Sequence, residues 1–229
     1  MKQDLGYASL RPQMYDRKSR VERARRAKAV LEDCFGKKRL CNLRALDVGS
    51  STGIFDDELV DGLESLVGVD VDGEAVKYAQ MNFGSKRLKF MVGSGMNLKF
   101  KDNTFDLVIC CQTYEHVSDP QKLFREIYRV LKPHGVCYLT AMNKWWIWEP
   151  HHSLPFLSWL PKSWVKWYKE SPKSYWELKA ITSKFQLMDY TSKILANPQK
   201  YYYNFPKIIP PMAPIVKLFS PTFIWILQK

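Results

Sequence analysis

Two carboxylates and a run of small residues are the first candidates for chemistry in this chain. Asp47 stands at the end of an apolar run, Leu43–Val48, and Gly49-Ser50-Ser51-Thr52-Gly53 follows it directly. Glycines let the backbone turn sharply and let a ligand approach with no Cβ in the way. The helix-like stretch Ile54–Val60 comes next, and the free N–H groups at a helix start favour a negative group such as a carboxylate. A second apolar run, Val67-Gly68-Val69, ends in Asp70. That acid lies about twenty residues on, where a carboxylate takes the two hydroxyls of a ribose. Strand, tight turn, helix start and second acidic strand end together point to a nucleotide-binding corner.

A second group of residues has the chemistry of proton transfer. His116 follows the apolar run Phe105–Cys111, with Glu115 beside it, and His151 and His152 are adjacent in an aromatic stretch that also holds Glu149. Any of these would serve as a general base, and equally as a substrate ligand, a loop-orienting side chain or a packed or exposed one. No metal is expected. The five cysteines, Cys34, Cys41, Cys110, Cys111 and Cys137, lack metal-ligand spacing and read as small core residues in a reducing compartment.

The elements that must position these groups follow from the pattern of apolar runs. Strands are expected at Leu43–Val48, Ser65–Val69, Leu88–Val92, Phe105–Cys111 and Val136–Met142, and helices at Ile54–Gly62, Gly73–Asn82 and Pro120–Leu131. Such alternation implies a parallel sheet covered by helices on both faces, with ligands at the carboxyl ends of the strands. Asp47, Asp70, Ser94–Met96 and Cys111–Thr113 all fall at such ends. Ahead of the sheet, Arg17–Phe35 reads as a helix ending at Gly36, basic around most of its girth. That face is either solvated or in contact with phosphates. After the fifth strand the pattern breaks. Seven of the eight tryptophans lie between Trp145 and Trp176, too aromatic a stretch for a plain connector, so a lid or substrate-binding insertion is expected there. Ser174–Phe185 resumes as a helix, with strand candidates at Leu187–Ile194 and Thr222–Leu227.

At 229 residues the chain suits a single domain, with a basic helical cap over 1–39, a Trp-rich insertion or lid over 144–172 and a Pro/Tyr-rich insertion over 195–221. A net charge of +12 favours acidic partners: nucleic acid, an anionic membrane surface or phosphorylated substrates. From the polar, charged N-terminus no signal peptide is expected, and no apolar run of about twenty residues is free of charge or proline. A cytoplasmic protein with peripheral contact to an anionic membrane is therefore expected.

The order of motifs resembles the class I S-adenosylmethionine-dependent methyltransferases. Leu46–Gly53 resembles their glycine motif, Val67–Asp72 their acidic motif and Phe105–Ile109 their fourth strand. Glu115-His116-Val117 and Arg129–Gly135 are similar to the type-eleven, ubiquinone/menaquinone-biosynthesis group, with His134 in place of a usual glycine. The resemblance spans about residues 40–143. It implies an α/β, Rossmann-like methyltransferase sheet of seven strands, the last antiparallel, with helices on both faces and the aromatic insertion after strand five. It implies S-adenosyl-L-methionine as cofactor. Asp47 with Gly49, Ser50, Ser51, Thr52 and Gly53 would then hold the methionyl part, Asp70 the ribose hydroxyls and Val71 the adenine. Ser94, Gly95 and Met96 would sit at the adenine, with Ser94 where the family usually has Asp, and Cys111 and Gln112 would line the methionine side. His116, His151 and His152 stand as the catalytic candidates. Family members often fold an N-terminal segment over the cofactor, which makes Tyr15 and Arg17 candidates for its carboxylate.

Methyl transfer by in-line displacement asks for positioning, exclusion of water and at most one general base. A small-molecule or lipid/glycan-linked acceptor is the reading these features favour. The alternatives are an RNA or protein methyltransferase, a dinucleotide-dependent oxidoreductase and a non-catalytic binding protein. The oxidoreductase lacks a third glycine here. The nucleic-acid enzyme lacks a base-flipping tetrapeptide after strand four, where Cys111-Gln112-Thr113-Tyr114 stands.

Overall fold

The computed structural model describes residues 12–149, 152, 154–161, 163–208 and 212–229. Seven strands form one sheet: β1 (Arg44–Val48), β2 (Ser65–Asp70), β3 (Leu88–Val92), β4 (Phe105–Cys111), β5 (Leu131–Met142), β8 (Gln186–Asp189) and β9 (Thr222–Gln228). A two-stranded hairpin of β6 (Trp148–Glu149) and β7 (Leu154–Pro155) stands apart from it. The order across the sheet is β3-β2-β1-β4-β5-β9-β8. Strands β1 to β5 run parallel, and β9 inserts antiparallel between β5 and β8. The chain order reverses at β1, which pairs with β2 on one side and β4 on the other.

The central strands are largely apolar because both faces are covered. Ala45, Leu107, Ile109, Val136, Tyr138, Ile224 and Ile226 join one core cluster. Their strand neighbours Leu46, Val108, Cys110, Cys137, Leu139, Phe223, Trp225 and Leu227 join the other. This is the period-two alternation of a strand, with an apolar layer waiting on each side. The first face is packed by α1 (Arg17–Phe35), α3 (Ile54–Val60), α4 (Gly73–Phe83) and α7 (Tyr190–Ala196). A single turn, α2 (Lys37–Leu40), leads from α1 to β1 and buries Leu40 in that same layer. The second face is packed by α5 (Pro120–Val130) and α6 (Tyr175–Ile181).

Three expectations need correction. Leu187–Ile194 is not one strand: β8 stops at Asp189, whose Oδ1 accepts the Thr191 N–H at 3.0 Å and caps α7. Tyr190, Thr191, Ile194 and Leu195 are the buried residues of that helix, a spacing of three to four that suits a helix and not a strand. The helix expected over Ser174–Phe185 is the shorter α6, opened by a capping box of Ser174 and Glu177. Cys41 is exposed instead of core, and Cys34 and Cys111 are half-buried; only Cys110 and Cys137 are fully buried. At the start of β5 the register slips between Phe105 and Leu107, and His134 takes φ +61° where the family's glycine is usual.

The aromatic insertion is stitched to the carboxyl edge of the sheet. Asn143 Nδ2 donates to the Leu218 and Ser220 carbonyls, both at 2.8 Å, and its Oδ1 accepts the Trp145 N–H at 3.0 Å. The Tyr114 hydroxyl donates to the Met142 carbonyl at 3.0 Å and accepts the Lys173 N–H at 2.8 Å. Beyond these ties the insertion has a small core of its own, Leu157, Val165 and Tyr168. Among the described residues, no helix is long and apolar enough to cross a membrane.

Candidate functional site

The turn after β1 is built by left-handed backbone. Gly49 has φ +92°, Ser51 +51° and Gly53 +75°. A Cβ on Gly49 would meet Thr113 Oγ1 at 2.4 Å, and one on Gly53 would meet Ala79 and Phe90 at 2.7 Å, so nothing larger than glycine fits either position. The Gly49 and Ser50 N–H groups donate to the Val69 carbonyl at 2.8 and 3.2 Å, and Thr113 Oγ1 donates to the Val48 carbonyl at 2.9 Å. The turn is thereby tied to the ends of both neighbouring strands.

Asp70 sits beside this turn, at the carboxyl end of β2. Its Oδ2 accepts the Ser51 N–H at 2.8 Å and its Oδ1 the Asp72 N–H at 2.9 Å. Burial raises its pKa, and these donors pull it back. Each carboxylate oxygen has a second lone pair, so Asp70 can hold the turn and accept two hydroxyls as well.

Asp47 is 3% exposed, and Asp56, in the first turn of α3, is fully buried. The two lie against each other. Burial pushes both pKa values up, and the proximity of Asp47 and Asp70 raises Asp56 further. Two carboxyls so placed cannot both ionise, and a shared proton is their natural link. As carboxylates, Asp47 Oδ1 and both Asp56 oxygens have no donor, and the buried Ser50 and Ser51 hydroxyls also lack partners. Buried polar atoms without partners are costly, so this concentration fits a ligand that supplies donors such as an ammonium group. S-adenosylmethionine carries one on its methionyl end, and the residues present fit it.

Two cations lean over the corner from α1. Arg20 draws the pKa of Asp47 and Asp56 down, and Arg23 Nη1 donates to Gln112 Oε1 at 2.7 Å. Arg17 is directed elsewhere, to Asp57 at 3.5 Å and Glu58 at 3.3 Å, and Tyr15 packs edge-on against Tyr78. Arg20 and Arg23 thus face the corner, while Tyr15 and Arg17, which the resemblance suggested, make these other contacts and the Met14 carbonyl beside Tyr15 accepts the Thr52 hydroxyl at 2.9 Å. Asp56 also escaped the sequence reading. The signals were present: Arg20 and Arg23 precede the buried stripe Ala24, Ala27, Val30 and Leu31, and Asp56, the first of three successive acids, directly follows the buried Ile54 and Phe55.

The remaining cofactor candidates gather at the same edge. Val71 is half-buried directly after Asp70. Ser94 Oγ accepts the Met96 N–H at 3.3 Å, so the serine closes its own turn. Gly95 packs where a Cβ would strike Val48 and Leu123 at 2.5 and 2.8 Å. Met96 is half-buried against the second core. Burial pushes the Cys111 thiol far up, so it stays protonated, and Gln112 adopts φ +53° as the chain leaves β4.

The catalytic candidates are dispersed. His116 is exposed at the end of the short turn Tyr114–His116, and His151 lies outside the described residues. His152 is held inside the insertion: its N–H donates to Glu149 Oε2 at 2.7 Å, and its Nε2 lies 3.4 Å from Glu170 Oε2. The buried member of the Glu-His pair is Glu115. Neither of its carboxyl oxygens has a partner, and burial, with the charge of Glu170, pushes its pKa up to about 8. Its carbonyl accepts the Ser171 N–H at 2.9 Å, which joins the insertion to the tip of β4. Among the described residues, no group of three or more His, Cys, Asp or Glu is arranged to hold a metal ion.

Comparison with known proteins bears on this geometry. Residues 46–139 match the family described as a methyltransferase domain. A ubiquinone biosynthesis O-methyltransferase of Pelagibacter ubique is 28% identical over 142 residues, 58% of this chain and 59% of that protein. A sterol 24-C-methyltransferase of Aspergillus fumigatus is 35% identical over 99 residues, 41% of this chain and 26% of that protein. The chain thus spans between a quarter and three-fifths of the length of these two curated relatives. Among solved structures, a chain of the complex between the Haloferax volcanii Trm112 methyltransferase activator and a methyltransferase superposes with TM-score 0.67 at 16% identity, covering 100% of this chain and 98% of that one. A Thermotoga maritima S-adenosylmethionine-dependent methyltransferase superposes with TM-score 0.58 at 19% identity, covering 95% of each chain.

Proposed function

Since the chain carries a class I S-adenosylmethionine-dependent methyltransferase domain, we propose that it transfers a methyl group to a small-molecule or lipid/glycan-linked acceptor. One observation carries the reading: two acidic strand ends beside a left-handed turn of small residues, with unpartnered buried oxygens around it. S-adenosylmethionine, when bound, supplies a methyl group on a positive sulfur. In this reading Asp70 accepts the ribose hydroxyls, and Val71, Ser94, Gly95 and Met96 border the adenine. Asp47, with Gly49, Ser50, Ser51, Thr52 and Gly53, receives the methionyl ammonium, and Arg20 and Arg23 face its carboxylate. Cys111 and Gln112 line the wall between the cofactor and the acceptor. The insertion over 144–172 closes above them and excludes water.

For an acceptor that must lose a proton, His152 Nε2 and Glu115 are the groups we assign to hold it. His116 and His151 stand behind them as candidates. The relatives named for ubiquinone biosynthesis and for sterol methylation support an apolar acceptor, and a lipid-linked one implies peripheral contact with an anionic membrane.

The test has two parts. Calorimetry should register S-adenosylmethionine binding to the intact chain and its loss in Asp70→Ala. Methyl-labelled cofactor incubated with lipid, small-molecule, RNA and protein fractions of a cell extract should label the lipid or small-molecule fraction. Label in RNA or protein, or binding with no label anywhere, replaces this acceptor by the corresponding alternative. No cofactor binding at all overturns the reading. His152→Ala should keep cofactor affinity and lower label transfer by about 100-fold if the imidazole takes the proton.

A further inference from the structure

The basic helix α1 is the obvious place to look for an anionic partner, but many of its charges are spent within the molecule. Arg17 pairs with Asp57 and Glu58, Arg23 with Gln112, and Arg26 with Glu22 and the Tyr203 ring; Arg25 lies over Tyr202. The insertion shows the opposite arrangement. Between residues 144 and 184 there are seven lysines and three glutamates. Glu149 and Glu170 are buried, whereas Lys166, Lys169, Lys179 and Lys184 are exposed. Two of the three acids turn inward, and these four lysines turn outward.

The same region displays a continuous band of exposed aromatic rings. Phe156 packs edge-on against Trp159 at 5.1 Å, and Trp159 against Trp145 at 5.6 Å. Trp145 then forms one wall of an apolar cleft of about 190 Å³, closed by Tyr175, Trp176, Leu218 and Phe219. Trp176 is 66% exposed and Phe219 58%, although both are among the most apolar side chains available. Lys144 and Lys179 lie over the Trp145 and Trp176 rings at 5.6 and 5.8 Å. The cleft is smaller than the ~300 Å³ at which ordinary small-molecule pockets begin. It suits the end of one hydrocarbon chain. Aromatic rings rimmed by lysines are the composition of a bilayer interface, where amphipathic rings sit at headgroup level and lysines meet anionic lipid.

We propose that the aromatic band Phe156–Trp159–Trp145–Trp176–Phe219 is the surface by which this protein docks on an anionic lipid bilayer, with its cleft seating a single acyl or prenyl chain. Trp145 follows the end of β5 and Phe219 precedes the start of β9, and Met142 pairs with Thr222 between them. The cleft therefore opens at the same carboxyl edge of the sheet as the Asp47–Asp70 corner. Docking there presents a lipid-borne acceptor to that edge. The inference deepens the lipid-linked reading of the acceptor and rests on it for its purpose, while its evidence is separate.

The test uses the full chain with vesicles of phosphatidylcholine alone and of phosphatidylcholine with phosphatidylglycerol, followed by flotation and by tryptophan quenching with brominated acyl chains. Binding to the anionic vesicles with quenching is expected, and much weaker binding to the neutral ones. The double variant Trp176→Ser/Phe219→Ser changes two exposed side chains and should weaken vesicle binding at least about tenfold. Its affinity for S-adenosylmethionine should stay within about twofold. Three results overturn the proposal: no vesicle binding, binding that the double variant leaves intact, or a self-association in sedimentation that the same variant abolishes. Vesicle binding without cofactor binding would leave this surface standing and remove the methyltransferase reading; the converse removes only the surface.

Discussion

The proposed cofactor corner and the aromatic insertion share one edge of the sheet and are built on opposite principles. The corner uses the smallest residues in the chain. Its turn holds left-handed glycines, Asp47 and Asp56 are buried, and backbone N–H groups fix the half-buried Asp70 from two sides. The insertion uses the largest. Its internal core is three residues, and it leaves Trp145, Trp148, Trp159, Trp164 and Trp167 at least two-fifths exposed. A site made of backbone and short side chains is preorganised for one ligand of fixed shape. A surface made of wide amphipathic rings on few internal contacts meets a broad, soft partner, and specificity there comes from the rim. The division implies that cofactor affinity and acceptor capture can be changed separately.

The largest expected effect strikes the corner alone. Gly49→Ala must place a Cβ 2.4 Å from Thr113 Oγ1 on a residue at φ +92°, and should destabilise the fold by about 3 kcal/mol, read from the shift of a urea transition. A variant as stable as the parent would mean that the turn is far softer than the comparison requires. Next comes Asp70→Ala. It removes the carboxylate proposed for the ribose and should weaken S-adenosylmethionine by about 100-fold in calorimetry, with vesicle flotation unchanged. Loss of both together would erase the distinction between the two regions.

A smaller effect sits where the regions meet. Glu115, Asp47 and Asp56 all have pKa values raised by burial in the folded state. These three groups therefore bind more protons in the folded than in the unfolded chain between about pH 4 and pH 8, so their contribution to the stability of the ligand-free protein is greatest below that window and falls as pH rises through it. Glu115→Gln should flatten the upper part of that fall and raise stability above pH 8 by on the order of 1 kcal/mol, measured by denaturant midpoints at several pH values. The smallest effect belongs to neither region. His134 holds φ +61° at the start of β5, and His134→Gly should stabilise by about 0.5–1 kcal/mol while cofactor and vesicle binding stay as they were. Movement of either binding readout would show that the two regions communicate through the sheet.

How much was legible in advance tracks the range of the interactions involved. Helix α1 and strands β3 and β4 begin and end where the apolar pattern predicts, because their limits are set by Gly36 and by runs of residues bounded by polar neighbours. Over Leu187–Ile194 the pattern misleads, whereas Thr222–Leu227 is strand as expected. Tyr190 and Ile194 look like strand residues in a row of apolar and polar neighbours, and only the Asp189 cap and the layer beneath turn them into helix. In the site, Asp47, Asp70 and the glycine turn can be read from spacing because one local unit of strand, turn and helix contains the turn and its first acid.

Sequence alone determined the alternating strands and helices, the acidic strand ends and the glycines of the turn, since each depends on neighbours a few residues away. Tertiary structure decided the rest. It set Asp56 against Asp47, brought Arg20 and Arg23 to the corner, buried Glu115 and left six of the eight tryptophans exposed. Each of those outcomes is a matter of desolvation and charge between segments remote in the chain. Burial is a property of the packed layers and not of any residue type.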